Sequence, residues 1–585
     1  MHTPIFRLSR SARALCVPLW LAATGAPVLA WAQAANPDAP GVIPSAEQLK
    51  RAQEAARPPL GDSGEVPQPT PPRELGKPEN DIRLDVSGYQ IDGLADVPAA
   101  TLQGLTAPFV GSQRSYEDMV NAAAAVTRFM QRELGYYLGY AYLPEQDPQG
   151  GVVHIAVMEG RLDQVILNWP DNMLVQREVV ERHLARLTPG EILRVRDVER
   201  VVFLVNDLQG IRARFEVKAG RTPGTASLVV TPSAETAFSG KVEVDTFGSR
   251  YSGTSRYNLV GTAASPLGRG DALVLNLMSS FTGGMGFGLV SYALPLGADG
   301  LKVGTSLSKV NYKLSKDDFP VGLNGEATAV NVFGLYPVVR SRNLNVFTLG
   351  SIERKDFADR REIGLDTFKR TLDAQLGVVG DFRDNLLSGG VSTYELNWLR
   401  GRLSDQGSQV NLPTDTPTHY TKLNLGYSRL QNLVSNRLLL YVRGKGQLTS
   451  QNLDTTERFS LGGPSGVRAF AAGEGTGDEG GLFSAELRFL PLESWFGRVA
   501  HEMVLSAFYD WGRVTYRHDA AAAALTTLPG TPASAVLSGW GIGAVWDRPQ
   551  SFGLRLNLAW PINGDAVTDP VKRIPRAYAQ LSKYF

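Results

Sequence analysis

Few residues of this chain could carry chemistry, and they are scattered. Its six histidines stand at positions 2, 154, 183, 419, 501 and 518, and no two share the short spacing that would present imidazoles to one metal ion. The sole cysteine is Cys16, close to the N-terminus. Ser465 lies in the sequence GPSGV, which is not the G-x-S-x-G of a nucleophile elbow. The glycine-rich run GEGTGDEGG from Gly473 lacks the spacing of a dinucleotide loop, and there is no Walker A sequence. No catalytic, cofactor-binding or metal site is therefore expected. What remains is one arginine in an unusual setting. Arg468 stands between Val467 and the pair Ala469 and Phe470, inside a long glycine- and acid-rich stretch without apolar periodicity. Loops of that length are usually functional or disordered. From the residues alone it reads as a solvated loop arginine, although a planar guanidinium can also bind a carboxylate through two parallel hydrogen bonds.

The elements that could position such an arginine follow from the rest of the chain. A formal net charge of +1 over 585 residues gives no electrostatic footprint for nucleic acid. The N-terminus carries Arg7, Arg10 and Arg13, an apolar run from about Ala14 to Trp31, and small residues Ala32 and Ala34 around Gln33. This is the pattern of a secretory signal peptide cut after Ala34, which removes the only cysteine. Beyond it no run of about 18 apolar residues could form a transmembrane helix. Residues 35–56 read as a short polar helix, with Ser45 and Gln48 as a capping box and Leu49 as its one large aliphatic residue. Residues 57–79 form a proline-rich, stiff linker.

From Asp81 the periodicity alternates between strand and helix. Two β-α-α-β-β units are the simplest reading, over residues 80–160 and 161–238. After Ser239 helical periodicity ends, and sixteen segments of about ten residues alternate with period two. In GLFSAELRFL, for example, Phe483, Ala485 and Leu487 oppose Ser484, Glu486 and Arg488. In EMVLSAFYDWG, Tyr509 and Trp511 belong to the apolar face, whereas Asp510 shares the other with Ser506 and Gly512. Links after even-numbered segments are mostly short. Those after odd-numbered ones are often long, as in 313–326, 353–369, 401–418 and 513–536. Short turns on one rim and long loops on the other indicate a sixteen-stranded transmembrane β-barrel over 239–585.

With these features in hand, the chain resembles the TpsB outer-membrane transporters of two-partner secretion, the family of the filamentous-haemagglutinin and haemolysin secretion/activation proteins. The segments that carry the resemblance are GYAYLPEQD…GGVVHIAVMEGRL and VVFLVNDLQGIRARFEVKAG, similar to parts of that family's first and second POTRA domains. GGPSGVRAF is similar to its sixth extracellular loop, and FYDWG to a later barrel strand. The resemblance implies a mixed fold: two α+β POTRA domains, then an all-β barrel with an N-terminal plug helix at 35–56. It implies that the loop-tip motif Val467, Arg468, Ala469 and Phe470 folds into the lumen and meets a barrel-wall partner at Asp510 and Gly512. It also places a cargo-binding strand edge at Ile211, Arg212, Ala213, Arg214, Phe215, Glu216 and Val217. Two positions depart from the family pattern, Ala469 where glycine is common and Lys583 near the C-terminus.

The function implied is that of a porin-like, non-enzymatic channel in the Gram-negative outer membrane with its POTRA domains in the periplasm. It would act as a monomer without cofactors. Its partners would be outer-membrane lipids and a secreted TpsA-type exoprotein, whether adhesin, haemolysin or toxin, and no nucleic acid. The alternative is an assembly factor that inserts other barrels. This reading predicts cleavage after Ala34 and a heat-modifiable outer-membrane protein. Edman sequencing from Met1, or a soluble periplasmic product, would contradict it.

Overall fold

Ser115 decides where the first long helix begins. Its hydroxyl accepts a hydrogen bond from the Asp118 amide at 3.2 Å while the Asp118 carboxylate accepts from the Ser115 amide at 3.0 Å, so two otherwise unpaired backbone donors are satisfied. The computed structural model describes residues 83–317, 322–362, 366–408, 416–434, 437–525, 532–548, 550–565 and 574–585. The expected signal peptide, N-terminal helix and proline-rich linker lie outside the described residues.

The first unit contains β1 (Arg83–Val86), β2 (Gly88–Asp92), α1 (Ala99–Thr106), β3 (Gly111–Ser115), α2 (Tyr116–Arg132), β4 (Tyr140–Tyr142) and β5 (Val152–Met158). Its sheet runs β2-β5-β4, with β2 parallel to β5, and β1 and β3 form a separate ribbon. That ribbon is an addition to the expected β-α-α-β-β order. Helix α2 buries Met119, Ala122, Ala123, Val126 and Met130, one stripe at helical spacing. The second unit contains β6 (Arg161–Leu167), α3 (Arg177–Leu184), α4 (Val195–Asn206), β7 (Ile211–Ala219) and β8 (Thr225–Ala234). Its sheet runs β6-β8-β7, which leaves β7 at an edge.

The barrel strands are β9 (Phe238–Asp245), β10 (Arg256–Ala264), β11 (Ala272–Ser280), β12 (Met285–Leu296), β13 (Leu301–Lys313), β14 (Leu323–Arg340), β15 (Leu344–Arg361) and β16 (Thr367–Asp384). They continue with β17 (Gly390–Asp405), β18 (His419–Val434) and β19 (Leu438–Thr449). Two short strands, β20 (Phe459–Ser460) and β21 (Thr476–Gly477), belong to the following loop. The wall then completes with β22 (Glu479–Phe489), β23 (Met503–Thr515), β24 (Ser534–Arg548), β25 (Phe552–Asn563) and β26 (Arg576–Tyr584). Sixteen strands close on themselves where β26 meets β9, from Gln580 opposite Asp245 to Tyr584 opposite Lys241. Side chains alternate as the sequence does: Leu273, Leu275, Leu277, Trp540 and Ile542 are exposed on the outside. Several strands are much longer than a membrane requires, because β14, β15 and β16 each hold 18 residues where about 9–11 suffice to span. Much of the expected loop at 353–369 is therefore strand, and only 362–366 connects β15 to β16. Not every link on the opposite rim is short, since 490–502 carries α5 (Glu493–Phe496) and a 3₁₀ turn.

Helix α4 buries Val198 and then five residues in a row, Val201, Val202, Phe203, Leu204 and Val205, because its second half is covered twice. One side faces its own sheet and the other docks on the barrel turns. Asp207, just past the helix, accepts two hydrogen bonds from Arg340 at 2.8 and 3.0 Å. Both side chains are buried, and the guanidinium lies 4.6 Å above the Phe203 ring. Lys302 donates to the Asp207 carbonyl at 2.9 Å. Removing one member of a buried pair costs about 3–5 kcal/mol by stranding the other charge. Arg340→Ala is therefore expected to loosen the second unit and raise protease cleavage between β8 and β9, in a barrel that remains heat-modifiable. Unchanged cleavage would show that docking does not depend on this pair.

Candidate functional site

The loop of residues 450–478 joins β19 to β22 and folds into the barrel. A tight backbone knot sets its tip. Val467 donates its amide to the Leu461 carbonyl at 2.7 Å, and Gly463 donates to the Phe470 carbonyl at 3.1 Å. Glycine is required at two of these positions. Gly463 has φ +113°, and a Cβ on Gly466 would lie 1.9 Å from the Leu461 oxygen.

This knot aims Arg468 at the wall. Its Nε and Nη2 donate to the two oxygens of Asp510 on β23, each at 2.9 Å, and its own amide donates to the same carboxylate at 3.1 Å. Ser484 on β22 donates to Asp510 at 2.7 Å, so the carboxylate receives four hydrogen bonds. The remaining nitrogen, Nη1, donates to Glu486 at 3.2 Å. Phe508 supplies a floor, its ring centroid 3.2 Å from the guanidinium carbon, an arrangement that adds a cation–π attraction. Only 1 % of the Asp510 side chain and 9 % of the Arg468 side chain is accessible. At that burial the pair is far from the exposed limit in which ion pairs contribute little.

Apolar contacts shield the pair. Val467, Ala469 and Phe470 are buried with Leu461, Leu482, Phe508, Val514, Leu537 and Ala559. Gly512 leaves room for Leu461, since a Cβ there would lie 2.6 Å from its Cδ2. Ala469, where the resembling family commonly has glycine, finds matching space. A Cβ on Gly539 of β24 would stand 2.5 Å from the Ala469 methyl, so the wall is hollowed opposite that methyl. Tyr578 on β26 donates its hydroxyl to the Phe470 carbonyl at 3.0 Å.

Sequence reasoning missed a second attachment on another part of the wall. Glu457 accepts from Lys355 on β15 at 2.7 Å and from Lys422 on β18, and Lys355 also pairs with Asp373 on β16 at 2.8 Å. Lys369 reaches Asp454 at 2.9 Å. Within the loop, Arg458 pairs with Asp478 at 2.9 Å. Leu453 is buried against Leu399, Leu403 and Tyr420. The loop therefore reaches from strands β15–β18 to strands β22–β24 and β26.

The expected strand edge, Ile211 to Val217, lies on β7 and is far from the loop tip in sequence and fold. Its side chains alternate: Ile211, Ala213 and Phe215 are buried in the core of the second unit, whereas Arg212 and Arg214 are exposed. The backbone alternates as well. Ala213 opposes Pro232, which has no amide hydrogen, and the Asn206 side chain serves Ala213 instead, accepting at 2.8 Å and donating at 3.2 Å. Ala213 thus turns its backbone groups away from β8, and by alternation so do Phe215 and Val217.

Two POTRA-like α/β units, a closed sixteen-stranded barrel and an inward loop locked by an arginine–aspartate pair define an outer-membrane transporter of the POTRA–barrel class. The profile described as "Haemolysin secretion/activation protein ShlB/FhaC/HecB" matches residues 224–544, and a ShlB-type POTRA profile matches 84–160. The chain belongs to this haemolysin secretion/activation family; it is a two-partner secretion transporter of the outer membrane, its POTRA domains lie in the periplasm, and a secreted TpsA-type protein is its partner. It is 26 % identical to the heme/hemopexin transporter protein HuxB of Haemophilus influenzae over 465 residues, 78 % of this chain and 80 % of that protein. It is 27 % identical to the outer membrane transporter CdiB of Escherichia coli over 424 residues, 69 % and 68 % of the two chains. In fold it is similar to the solved CdiB from Escherichia coli, with a TM-score of 0.69, 20 % identity and 92 % and 97 % coverage. BamA from Haemophilus ducreyi, solved without POTRA domains 1–3, gives a TM-score of 0.52 at 15 % identity, covering 86 % and 100 %.

The contact between Ala469 and Gly539 gives a test that leaves the ion pair untouched. Gly539→Ala is expected to push the loop tip from the wall, raising loop protease sensitivity and lowering secretion. Ala469→Gly in the same chain should restore both. Secretion by Gly539→Ala equal to that of the native protein would contradict this packing.

Proposed function

We propose that this transporter receives one unfolded exoprotein in the periplasm on the open edge of β7 and passes it outward through the barrel. In this reading residues 80–160 and 161–238 are the two receiving POTRA domains. Residues 239–585 are the conduit, and the polar segment 35–56 occupies the lumen at rest. Arg468 holds the loop tip on Asp510, with Gly512 giving the tip its seat, and the protein works as a monomer without chemistry of its own. The cargo belongs to the class of large secreted adhesins, haemolysins or toxins.

The observation that carries the proposal is the edge of β7, unpaired by any strand among the described residues, where Phe215 and Val217 turn backbone donors and acceptors away from β8. An unpaired edge is a template for an extended chain. Augmentation of this kind draws affinity from main-chain hydrogen bonds and so makes little demand on cargo sequence. A proline removes one donor. At Phe215 it would also delete a buried ring, and losing a core phenylalanine costs about 3–5 kcal/mol. Val217, only partly buried, is the better position. Val217→Pro is expected to weaken binding of the exoprotein's N-terminal region about tenfold, the loss of roughly one hydrogen bond with its alignment, while thermal unfolding of the POTRA region stays cooperative. Undiminished binding by the folded variant would exclude this edge as the receiving surface.

A further inference from the structure

Three long barrel strands, β15, β16 and β17, carry a belt of positive charge on their outer surface, at the level where the apolar band ends. On β15 the outward residue Ile352 is followed by Arg354. On β16, Leu372 gives way to Arg370, and on β17, Trp398 gives way to Arg400 and Arg402. Ile352, Leu372 and Trp398 are exposed to the surroundings of the barrel, which fixes the face. Both Arg354 and Arg400 are the eleventh residue of their strands, counted from Leu344 and Gly390 at the periplasmic rim. A spanning strand needs about 9–11 residues, so these guanidiniums stand at the outer-leaflet headgroups. One carboxylate moderates the cluster. Asp356 pairs with Arg354 at 2.8 Å and with Arg370 on the neighbouring strand. Arg400 and Arg402 are exposed, and among the described residues neither side chain has a hydrogen bond or ion pair. Arg354 and Arg402 both flank Leu372 in register, two strand spacings apart, about 10 Å.

The geometry points to a binding site for the phosphorylated glycolipid of the outer leaflet, built from Arg354, Arg370, Arg400 and Arg402. Guanidiniums bind phosphate oxygens through paired, charge-assisted hydrogen bonds, and basic clusters beside a membrane recruit anionic headgroups. Acyl chains of the same molecule would lie along the apolar residues directly beneath. A spacing of about 10 Å between cationic centres on strands about 4.8 Å apart suits a headgroup with two separated phosphates rather than one. Bound there, the glycolipid would brace the projecting wall formed by β15, β16 and β17, the first two of which hold Lys355 and Asp373 beside the loop residue Glu457.

The test is native mass spectrometry of the full chain extracted from outer membranes, titrated with a diphosphorylated disaccharide lipid. Its dephosphorylated counterpart and phosphatidylglycerol serve as comparison lipids. The native protein should bind the diphosphorylated lipid at least about tenfold more tightly than either, since charge-assisted hydrogen bonds to phosphate are stronger than neutral ones. Arg400→Gln with Arg402→Gln should remove that preference, and Arg400→Lys with Arg402→Lys should retain part of it. Equal affinity of the native protein for all three lipids would overturn the proposal without reliance on any variant. So would an unchanged preference in the glutamine double variant, or full displacement of the lipid by millimolar inorganic phosphate.

Discussion

The lumen of this barrel is organised around one carboxylate. Asp510 has almost no accessible surface and receives four hydrogen bonds, three from Arg468 and one from Ser484. An isolated carboxylate in such a place would be strongly disfavoured; paired and fully hydrogen-bonded, it becomes the point to which a 29-residue loop, 450–478, is tied. The apolar residues around the pair exclude water and so strengthen it. Glycines clear the space they need, Gly512 for Leu461 and Gly539 for Ala469.

A loop held at its tip alone would still swing, because closure entropy grows only slowly with length. The attachment of Glu457 to Lys355 and Lys422 removes that freedom. Between the two sites the loop reaches across to different strands of the wall, so an exoprotein passing through the lumen meets a chain fixed at both places. For cargo to pass outward through the barrel as proposed, the loop must yield. A charge pair suits that role better than a purely apolar contact, because released charges can be resolvated by a wet lumen. Beneath the barrel, Asp207 and Arg340 tie the helix preceding β7 to the turn between β14 and β15. The edge where cargo is proposed to bind is thus only four residues from a buried contact with the wall.

How much of this could be read from the chain depends on how local each signal is. Period-two alternation placed Asp510 on the same face as Ser506 and Gly512, and the same rule put Ser484 and Glu486 on the polar face of β22, although their part in holding Arg468 went unnoticed. Strand ends were misjudged for a physical reason. Above the membrane both faces of β15 and β16 meet water or the polar lumen, so ERKDFADRR around Lys355 reads as a charged loop rather than as strand. The partnership of Glu457 with Lys355 spans 102 positions and leaves no local trace. Ala469 looked like a defect in the loop-tip motif only because its compensating glycine, Gly539, lies 70 residues further along on another strand.

The central claim is that Arg468 and Asp510 act as a unit that sets the loop for secretion. A double-mutant cycle measures this directly: exoprotein secretion and loop protease sensitivity are compared for the native protein, Arg468→Ala, Asp510→Ala and the double variant, at matched levels of heat-modifiable barrel. Each single substitution is predicted to abolish most secretion and expose the loop, and the double variant to be hardly worse than either. Effects that simply add across the cycle would contradict the account, because they would mean that the two residues serve secretion independently.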